Sequence, residues 1–319
     1  MLDNLIFSLN IVVPLFAVIL FGAFLRYKGY VDGAFIDIGN KIVFRFILPA
    51  NVFMSIYHVN IVDIFDPFFI GFVVLFTVGS FFAVWLFALF FIKEKPIVSA
   101  FTQGAFRSNF AIIGLPLLVS ILGPERAAVG AIALAFVVPV YNIFSTVVLT
   151  VHSPHIRALN AKILFLAIIK NPIIIAVALG MAVSVSGLHM PVAGERSVGF
   201  IAALTTPFAL ICLGGNISFR GFDAKFKYAA VATAVKLVVM PIVCTALAYA
   251  LGFRGDELTV LMVMAGVPSA VAGYAMALQL GGDGYTSATI IVLTTLLSAF
   301  SLTVFIYVFR TLGIIVDIA

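Results

Sequence analysis

Three polar residues stand beside a glycine and a proline inside an apolar part of the sequence. Arg107, Ser108 and Asn109 precede Gly114-Leu115-Pro116, and all of them lie within the apolar run 101–123. A charged group deep in an apolar helix is costly and usually serves a function. Because proline has no N–H to donate and glycine permits unusual backbone angles, Gly114 and Pro116 can end one half-helix and begin another. The alternative interpretation is a packing kink.

A second interruption of this kind occurs near the end of the chain. Gly266-Val267-Pro268 repeats the pattern 152 residues later (268 − 116), and Ser269 and Tyr274 follow it. If two broken helices cross at the middle of a membrane, the positive N-terminal ends of their second halves meet at one point. Such a point suits an anion. Tyr141 and Asn142 lie in the middle of another apolar segment, so the Asn142 amide is also expected deep in the membrane. Asn142 could contribute to the same site or could instead bond a neighbouring helix.

These residues form the predicted substrate-binding site. Its members are Arg107, Ser108, Asn109, Gly114, Pro116, Tyr141, Asn142, Gly266, Pro268, Ser269 and Tyr274. Arg45 and Lys236 also fall inside apolar segments, and for both a polar role and a side chain that reaches the lipid headgroups remain open. No catalytic residue, metal site or cofactor is predicted.

The composition sets the class of protein that must position these residues. Hydrophobic residues make up 64% of the chain, charged residues 10%, and the mean hydropathy is +1.25. A soluble core of this length could not bury so much apolar surface, so we predict an all-α polytopic membrane protein in contact with the lipid bilayer. The net charge of +5 is spread over short loops and forms no basic cluster of the kind that binds nucleic acids. Cys212 and Cys244 lie in apolar segments and are interpreted as core residues.

A membrane-spanning helix needs roughly 20 apolar residues, and the chain divides into ten segments of about that length. They cover residues 5–26, 36–57, 67–92, 97–122, 127–151, 163–186, 193–215, 226–252, 257–280 and 285–311. The sixth is interrupted by Lys170-Asn171-Pro172, so 160–170 could instead form an interfacial helix. Nine basic residues flank one side and four the other, which places the first side in the cytoplasm and both termini outside. The membrane is predicted to be the plasma membrane.

The spacing of glycine and proline indicates an internal repeat. Pro14 and Pro172, Gly22 and Gly180, and Pro49 and Pro207 are all 158 residues apart. Residues 1–157 and 158–319 would then each hold five spans, and an odd number makes the second half inverted. Inverted repeats with interrupted helices in matching positions are typical of secondary transporters. The alternative is chance register, since glycine and proline are frequent in membrane helices.

The positions of the acidic residues and histidines argue against two classes of function. No aspartate or glutamate lies near the bilayer centre, and Asp37, near the edge of the second span, can pair with Lys41. Cation antiporters of similar architecture commonly place carboxylates at depth, so cation pumping is disfavoured. All four histidines fall at span ends or in loops, which argues against an intramembrane enzyme.

At this point the motifs resemble those of the auxin efflux carrier family. The resemblance rests on RSNFAIIGLPLLVSILG at 107–123, FVVPVYNIFSTVVL at 136–149, KNPIIIAVALGMAVSVSG at 170–187, FALICLGGNIS at 208–218 and AGVPSAVAGYAMALQLGGD at 265–283. The family is similar to plant auxin carriers and to bacterial transporters of malonate or other organic acids. The motifs occur in the family's order over nearly the whole chain.

The resemblance implies a fold and a mechanism. It implies ten spans in two inverted five-helix repeats with crossed broken helices 4 and 9, as in sodium/proton antiporters. Helices 1, 2, 6 and 7 would form a scaffold, and helices 3–5 and 8–10 a mobile transport domain. It further implies that Asn109 is the crossover asparagine, Pro116 and Pro268 the crossover prolines, and Tyr141 a substrate neighbour. The short loop at 152–162 departs from many plant members and favours a compact prokaryotic carrier of the inner membrane.

We therefore predict a secondary transporter of a small organic anion that works by elevator-type alternating access. The anion is expected to be auxin-like, a monocarboxylate or a dicarboxylate, and the sequence is compatible with a homodimer. A sodium-coupled organic-anion symporter of the bile-acid type is the nearest alternative, because backbone carbonyls and uncharged side chains can hold sodium. A channel, a sensor or an intramembrane enzyme are the alternatives from other classes.

Overall fold

The computed structural model describes residues 2–58, 66–153, 172–216 and 225–315, and the regular elements in these residues are helices. The first half contains α1 (Leu2–Tyr27), α2 (Gly33–Ile42), α3 (Leu48–Tyr57), α4 (Pro67–Phe91), α5 (Lys95–Phe106), α6 (Leu115–Leu122) and α7 (Ala128–Val151). The second half contains α8 (Pro172–Ser186), α9 (Val192–Ala203), α10 (Thr205–Gly215), α11 (Phe226–Ala234), α12 (Met240–Ala250), α13 (Gly255–Gly266), α14 (Ala272–Leu280) and α15 (Gly284–Thr311).

Six helical stretches are long and apolar enough to cross a membrane. They are Leu2–Tyr27, Pro67–Phe91, Ala128–Val151, Val192–Gly215, Phe226–Ala250 and Gly284–Thr311. They match the first, third, fifth, seventh, eighth and tenth predicted spans, and they confirm an integral membrane protein with several apolar helices. The second predicted span is α2 followed by α3, and the fourth and ninth are interrupted. Of the sixth, only α8 belongs to the described residues, so the prediction on Lys170 and Asn171 lies outside them.

Three π-helical segments, each five residues long, occur inside these spans. They are Val43–Ile47 between α2 and α3, Phe110–Gly114 before α6, and Val235–Val239 between α11 and α12. Each ends two residues before a proline, namely Pro49, Pro116 or Pro241. Because proline lacks an N–H and its ring clashes with the carbonyl four residues earlier, a wider turn at that place relieves the conflict without ending the helix.

The first interruption is not where the sequence predicts it. Helical backbone runs unbroken from Phe110 to Leu122, and Pro116 lies in the first turn of α6. The chain is instead extended at Arg107 (φ −82°, ψ 126°), directly after α5. The prediction that Gly114 and Pro116 end a half-helix is therefore wrong, because the π turn absorbs the proline. The second interruption does follow Gly266, with Val267 extended (φ −68°, ψ 154°).

Polar contacts at the helix ends tie the spans together. Lys225 donates to the Asp283 carboxylate at 2.8 Å, and the Asp283 N–H donates to the Pro96 carbonyl at 3.0 Å, which joins the starts of α5, α11 and α15. Burial alone would raise the pKa of Asp283, but hydrogen bonds from Lys225 and Thr286 outweigh it and hold that pKa below its usual value.

The opposite end of the bundle carries two further contacts. Arg126, after α6, forms a bidentate pair with Asp256 at the start of α13, and this hydrogen bond raises the pKa of Arg126. Arg310, at the end of α15, donates to Asn4 Oδ1 at 3.1 Å and lies 3.6 Å from the Phe7 ring centroid on α1. The contact between Arg310, Asn4 and Phe7 is called the α1–α15 contact below.

Glycine allows α1 and α10 to pack backbone against backbone. A Cβ placed on Gly22 of α1 would stand 2.2 Å from the carbonyl oxygen of Ile211 on α10, and one on Gly214 would stand 1.8 Å from the carbonyl oxygen of Ile19. Gly180 of α8 makes a looser contact with α3, where an added Cβ would stand 3.1 Å from the Ile56 side chain and 3.4 Å from the Phe53 carbonyl oxygen. Small residues at such positions permit the close approach that stabilises membrane helices.

Replacing Gly214 should therefore destabilise the protein. Gly214→Ala puts a methyl group into the Ile19 carbonyl, and we expect a cost of about 1–3 kcal/mol from overpacking. Gly199→Ala on α9 is the matched control, because nothing lies within 4 Å of its added carbon, and it should gain up to about 1 kcal/mol of helix propensity. Thermal unfolding in detergent measures both; equal melting temperatures for the two variants would contradict the packing described.

A second prediction concerns His152, which follows α7 and accepts a hydrogen bond of 2.8 Å from Trp85 Nε1 of α4 through Nε2. Burial, together with the charge of Lys95, lowers the pKa of His152 below its usual value. Above about pH 6.5 the imidazole is mostly neutral in both the folded and the unfolded chain. As the pH is lowered below this value, the unfolded chain binds the proton more readily than the folded chain, so the free energy of unfolding decreases with decreasing pH.

The measurement is the melting temperature between pH 7.5 and pH 5. His152→Gln keeps an acceptor for Trp85 but does not titrate, so its melting temperature should fall less steeply than that of the wild type. Parallel curves for the two proteins would show that His152 does not contribute to this pH dependence.

Candidate functional site

The two interrupted helices meet each other directly. The N–H of Asn109 donates to the carbonyl of Pro268 at 2.7 Å, and Ser108 and Ser269 form an isolated antiparallel β-bridge. Non-helical backbone at membrane depth is tolerated only where protein or water satisfies its polar groups. Here each interruption supplies hydrogen-bond partners to the other.

Both serines of the bridge are linked to the end of a preceding half-helix, Ser269 directly and Ser108 through Lys236. The Ser269 hydroxyl donates to the carbonyl of Gly104 near the end of α5, and its N–H donates to Thr294 Oγ1 at 3.2 Å. On the other side, Lys236 Nζ donates to Ser108 Oγ at 2.6 Å and to the carbonyl of Ala265 near the end of α13 at 2.5 Å.

A cavity of about 300 Å³ lies beside the β-bridge. It brings together five of the predicted site residues, Arg107, Ser108, Asn109, Tyr141 and Asn142. The rest of its wall is mainly apolar and consists of Phe44, Arg45, Phe110, Ala111, Leu134, Val138, Pro172, Ile173, Ala270, Ala272 and Met276. A small volume with few polar groups in an apolar wall is typical of a site for a small molecule.

Arg107 is held in the wall of this cavity by uncharged partners. Its guanidinium donates to Asn142 Oδ1 at 3.0 Å, to Met276 Sδ at 3.0 Å and to Ser145 Oγ at 3.4 Å, and the residue is 8% exposed. The ion pairs found among the described residues do not involve Arg107. Its positive charge is therefore not cancelled by a neighbouring carboxylate in this part of the chain.

Asn109 contributes a donor that is not used within the described residues. The side-chain nitrogen Nδ2 is buried without a hydrogen-bond partner there, and Arg107 Nε is in the same state. Asn109 is only 4% exposed and lines the cavity. An unpaired buried amide costs about 1–3 kcal/mol, so a hydrogen bond from Asn109 Nδ2 to a ligand or a water molecule would be favourable.

A second cavity of about 550 Å³ adjoins the first and shares Phe44, Arg45 and Ala272 with it. Its other lining residues are Asp37, Asn40, Lys41, Asn216, Val271, Tyr274 and Leu278. Tyr274, a predicted site residue, therefore lines this outer cavity and not the inner one. Arg45 stands where the two cavities join.

The remaining predicted site residues support the site from behind. Gly114, Pro116, Gly266, Pro268 and Ser269 do not line the inner cavity. Gly114 leaves room for the ring of Phe110, because a Cβ on it would stand 2.3 Å from that ring. Gly266, Pro268 and Ser269 form the second interruption, so their part is to shape the backbone at the bridge.

Sequence reasoning missed Phe44 and Met276 and left Arg45 and Lys236 undecided. A usable signal existed for both cations: Arg45 precedes Pro49 by four residues, and Lys236 precedes Pro241 by five, so each falls in a π turn. π turns are frequent at functional sites. For metals, the described residues contain no group of three His, Cys, Asp or Glu that could hold an ion.

Comparisons with known proteins agree with these observations. A family model described as membrane transport protein matches residues 7–156 and 151–306. An uncharacterized transporter of Methanothermobacter thermautotrophicus is 23% identical over 305 residues, which cover 92% of this chain and 96% of that protein. The uncharacterized transporter YfdV of Escherichia coli K12 and of Shigella flexneri is 24% identical over 246 residues, 75% of this chain and 77% of that protein.

The bridge makes a testable contribution to stability. Ser269→Ala removes the donor that satisfies the half-buried Gly104 carbonyl, and we expect a loss of about 1–3 kcal/mol. Ser197→Ala is the matched control, because that serine is exposed on α9 and bonds only within its own helix, to the Ala193 carbonyl. Unfolding in detergent compares the two; a Ser269→Ala protein as stable as Ser197→Ala would contradict the role of the bridge.

Proposed function

This chain belongs to the membrane transport protein family, the auxin efflux carrier family that its motifs resemble, and on that premise we propose that it carries a small organic anion by alternating access. The family is one of transporters and not of enzymes. The observation that carries the proposal is the inner cavity at the β-bridge, which is lined by the buried Arg107 and by Asn109, whose amide nitrogen has no hydrogen-bond partner among the described residues.

The charge of the site favours an anion. Arg107 lines the cavity and Lys236 lies behind Ser108, and neither joins an ion pair with a described carboxylate. The second half-helices start at Asn109 and Val271, next to the cavity, and the first N–H groups of a helix have no partners within it. Two cations and two helix N-termini together attract a carboxylate.

The polar and apolar parts of the wall suggest how the anion is held. Its carboxylate would accept from Asn109 Nδ2 and Arg107, and Tyr141 would contact the adjoining part of the molecule. The body of the anion would lie against Leu134 and Val138, which are apolar. A volume of about 300 Å³ limits the anion to a small molecule.

For the overall architecture we propose the ten spans in two inverted five-helix repeats, 1–157 and 158–319. Two observations support it. Thr205 donates to the Ile47 carbonyl over the same 158-residue spacing as the prolines. The contact of Gly22 with Ile211 also has a counterpart, because Gly180 approaches Phe53, and both residues are again 158 positions away.

The division into scaffold and transport domain fits the position of the cavity. The proposed scaffold consists of α1, α2 and α3 with the π turn between α2 and α3, and of α8, α9 and α10. It contributes four of the residues that line the inner cavity, namely Phe44, Arg45, Pro172 and Ile173. The other lining residues come from the proposed transport domain. An anion in the cavity would thus touch both units, and a shift of one against the other would carry it across the membrane. The loop charges support both termini outside a plasma membrane, such as the bacterial inner membrane.

The proposal is tested by ligand binding to purified protein. Thermal shift against a panel of mono- and dicarboxylates, including malonate and indole-3-acetate, should show stabilisation that rises with ligand concentration. Uptake of the best radiolabelled acid into proteoliposomes then measures transport. A panel in which no acid shifts the melting temperature, and none is transported, would overturn the proposal.

Asn109→Ala is the informative variant. Loss of a hydrogen bond to a carboxylate costs about 1.5–3 kcal/mol, so we expect the dissociation constant of the best acid to rise about 10- to 100-fold. Asn10→Ala, an exposed position on α1, is the matched control and should bind like the wild type. Unchanged affinity in Asn109→Ala would remove this residue from the anion site.

A further inference from the structure

We infer that Lys236 is a tethered cation of the crossover, a positioning residue whose ammonium joins the two interrupted helices and adds positive charge behind the anion site. The part that concerns the anion rests on the proposed function. The part that concerns the joining of the helices does not. Lys236 is not among the residues that line the cavity, so its influence on an anion passes through Ser108.

The surroundings of Lys236 are unusual for a lysine. The residue is 1% exposed and sits in the π turn Val235–Val239, in the middle of the stretch from α11 to α12. A side chain that merely reached for the lipid headgroups would expose its ammonium at the membrane surface. Here the ammonium points inward to Ser108 of the first interruption and to Ala265 of the second.

Both partners are neutral oxygens, and this is the chemistry of a cation site. Ala265 lies in the last turn of α13, where carbonyls have no partner within the helix and the helix dipole is negative. In transporters with interrupted helices, such carbonyls and half-helix ends bind the coupling sodium ion. Here the ammonium of Lys236 occupies the position at the carbonyl end of α13 that a sodium ion would otherwise hold.

A comparison of the two sides of the bridge shows what Lys236 adds. Ser269 reaches the Gly104 carbonyl directly with its hydroxyl. The corresponding pair, 161 positions away in each case (269 − 108 and 265 − 104), is Ser108 and Ala265. These two are not bonded directly in this way: the Lys236 ammonium stands between them and donates to both. The Ser269 hydroxyl alone therefore satisfies the carbonyl at the end of α5, whereas the Lys236 ammonium joins Ser108 to the carbonyl at the end of α13.

This arrangement has a consequence for the anion site. Because Ser108 accepts a hydrogen bond from the ammonium, its oxygen is fixed at the edge of the cavity. The charge of Lys236 lies one residue behind the cavity wall, at Ser108, and adds to that of Arg107, which lines the cavity. We therefore expect the crossover to need no bound metal cation for its stability, since the ammonium already fills that role.

The first arm of the test uses no organic acid. The melting temperature of the wild type should be the same in sodium, potassium and choline chloride at equal ionic strength. Lys236→Ala should lower it by roughly 5 °C or more, because two buried oxygens lose their shared donor. Lys227→Ala, an exposed lysine on α11, is the matched control and should leave it unchanged. A saturable rise of the wild-type melting temperature with sodium would overturn the inference.

Chemical rescue distinguishes a cation from simple packing. The Lys236→Ala change removes three methylene groups and the ammonium, so n-propylammonium matches the space that is left. It should restore the melting temperature of Lys236→Ala in a saturable manner, whereas 1-propanol, of similar size and neutral, should not. Lys236→Met fills the space without a charge and should not respond to n-propylammonium. Equal rescue by 1-propanol would show that only volume matters and would overturn the inference.

Lys236→Gln covers the case in which the alanine variant does not fold, since glutamine keeps a donor but no charge. Its melting temperature should stay below that of the wild type, and the dissociation constant of the best acid should rise at least tenfold. Wild-type behaviour of Lys236→Gln in both measurements would refute a role for the charge. If no acid binds the wild type, the proposed function fails, while the cation and rescue arms still decide the part played by Lys236.

Discussion

The structure depends on one constraint, that every backbone polar group at membrane depth must find a partner inside the protein. Two helices are interrupted, at Arg107–Asn109 and after Gly266, and lose regular backbone hydrogen bonds there. The two interruptions pair with each other through the Ser108–Ser269 bridge, where the Asn109 N–H donates to the Pro268 carbonyl. The bridge therefore fixes where the two halves of the chain meet. At the bridge, the half-helices that end leave carbonyl groups unpaired, and the half-helices that begin leave N–H groups unpaired. The carbonyl ends favour positive charge and the N–H ends favour negative charge.

The distribution of charge follows from this arrangement. Lys236 lies against the carbonyl end of a half-helix, whereas Arg107 lies in the cavity wall and is held by the neutral side chains of Asn142, Ser145 and Met276. A buried cation without a carboxylate is expensive, and hydrogen bonds to neutral groups reduce that cost only in part. The remaining positive potential is available to a ligand. The proposed preference for an anion therefore comes from the architecture as a whole, although few residues would contact the anion.

The sequence predicts the parts of this molecule that depend on local properties. Hydropathy along the chain identifies the long helices, and the second interruption follows Gly266 as its Gly-x-Pro pattern indicates. The first interruption was misplaced at Gly114 and Pro116, because a proline after a π turn is compatible with a continuous helix, whereas the real break at Arg107 is set by contacts with a distant segment. Arg107, Asn109 and Tyr141, which the sequence groups into one predicted site, line the same cavity in the structure, and their part in binding stays a prediction. Phe44 and Met276 carry no local signal, since only tertiary packing places them at the cavity.

The α1–α15 contact has a consequence for the rate of the proposed cycle. It joins Asn4 and Phe7 of the proposed scaffold to Arg310 of the proposed transport domain. A displacement of α15 along α1 by one helical turn, about 5.4 Å, exceeds the reach of a hydrogen bond and separates all three groups together. In the proposed cycle the contact would exist in a single conformation and would act as a latch. Breaking it would add to the activation barrier, so the ends of two helices far from the proposed anion site would help to set how long the carrier rests between turnovers.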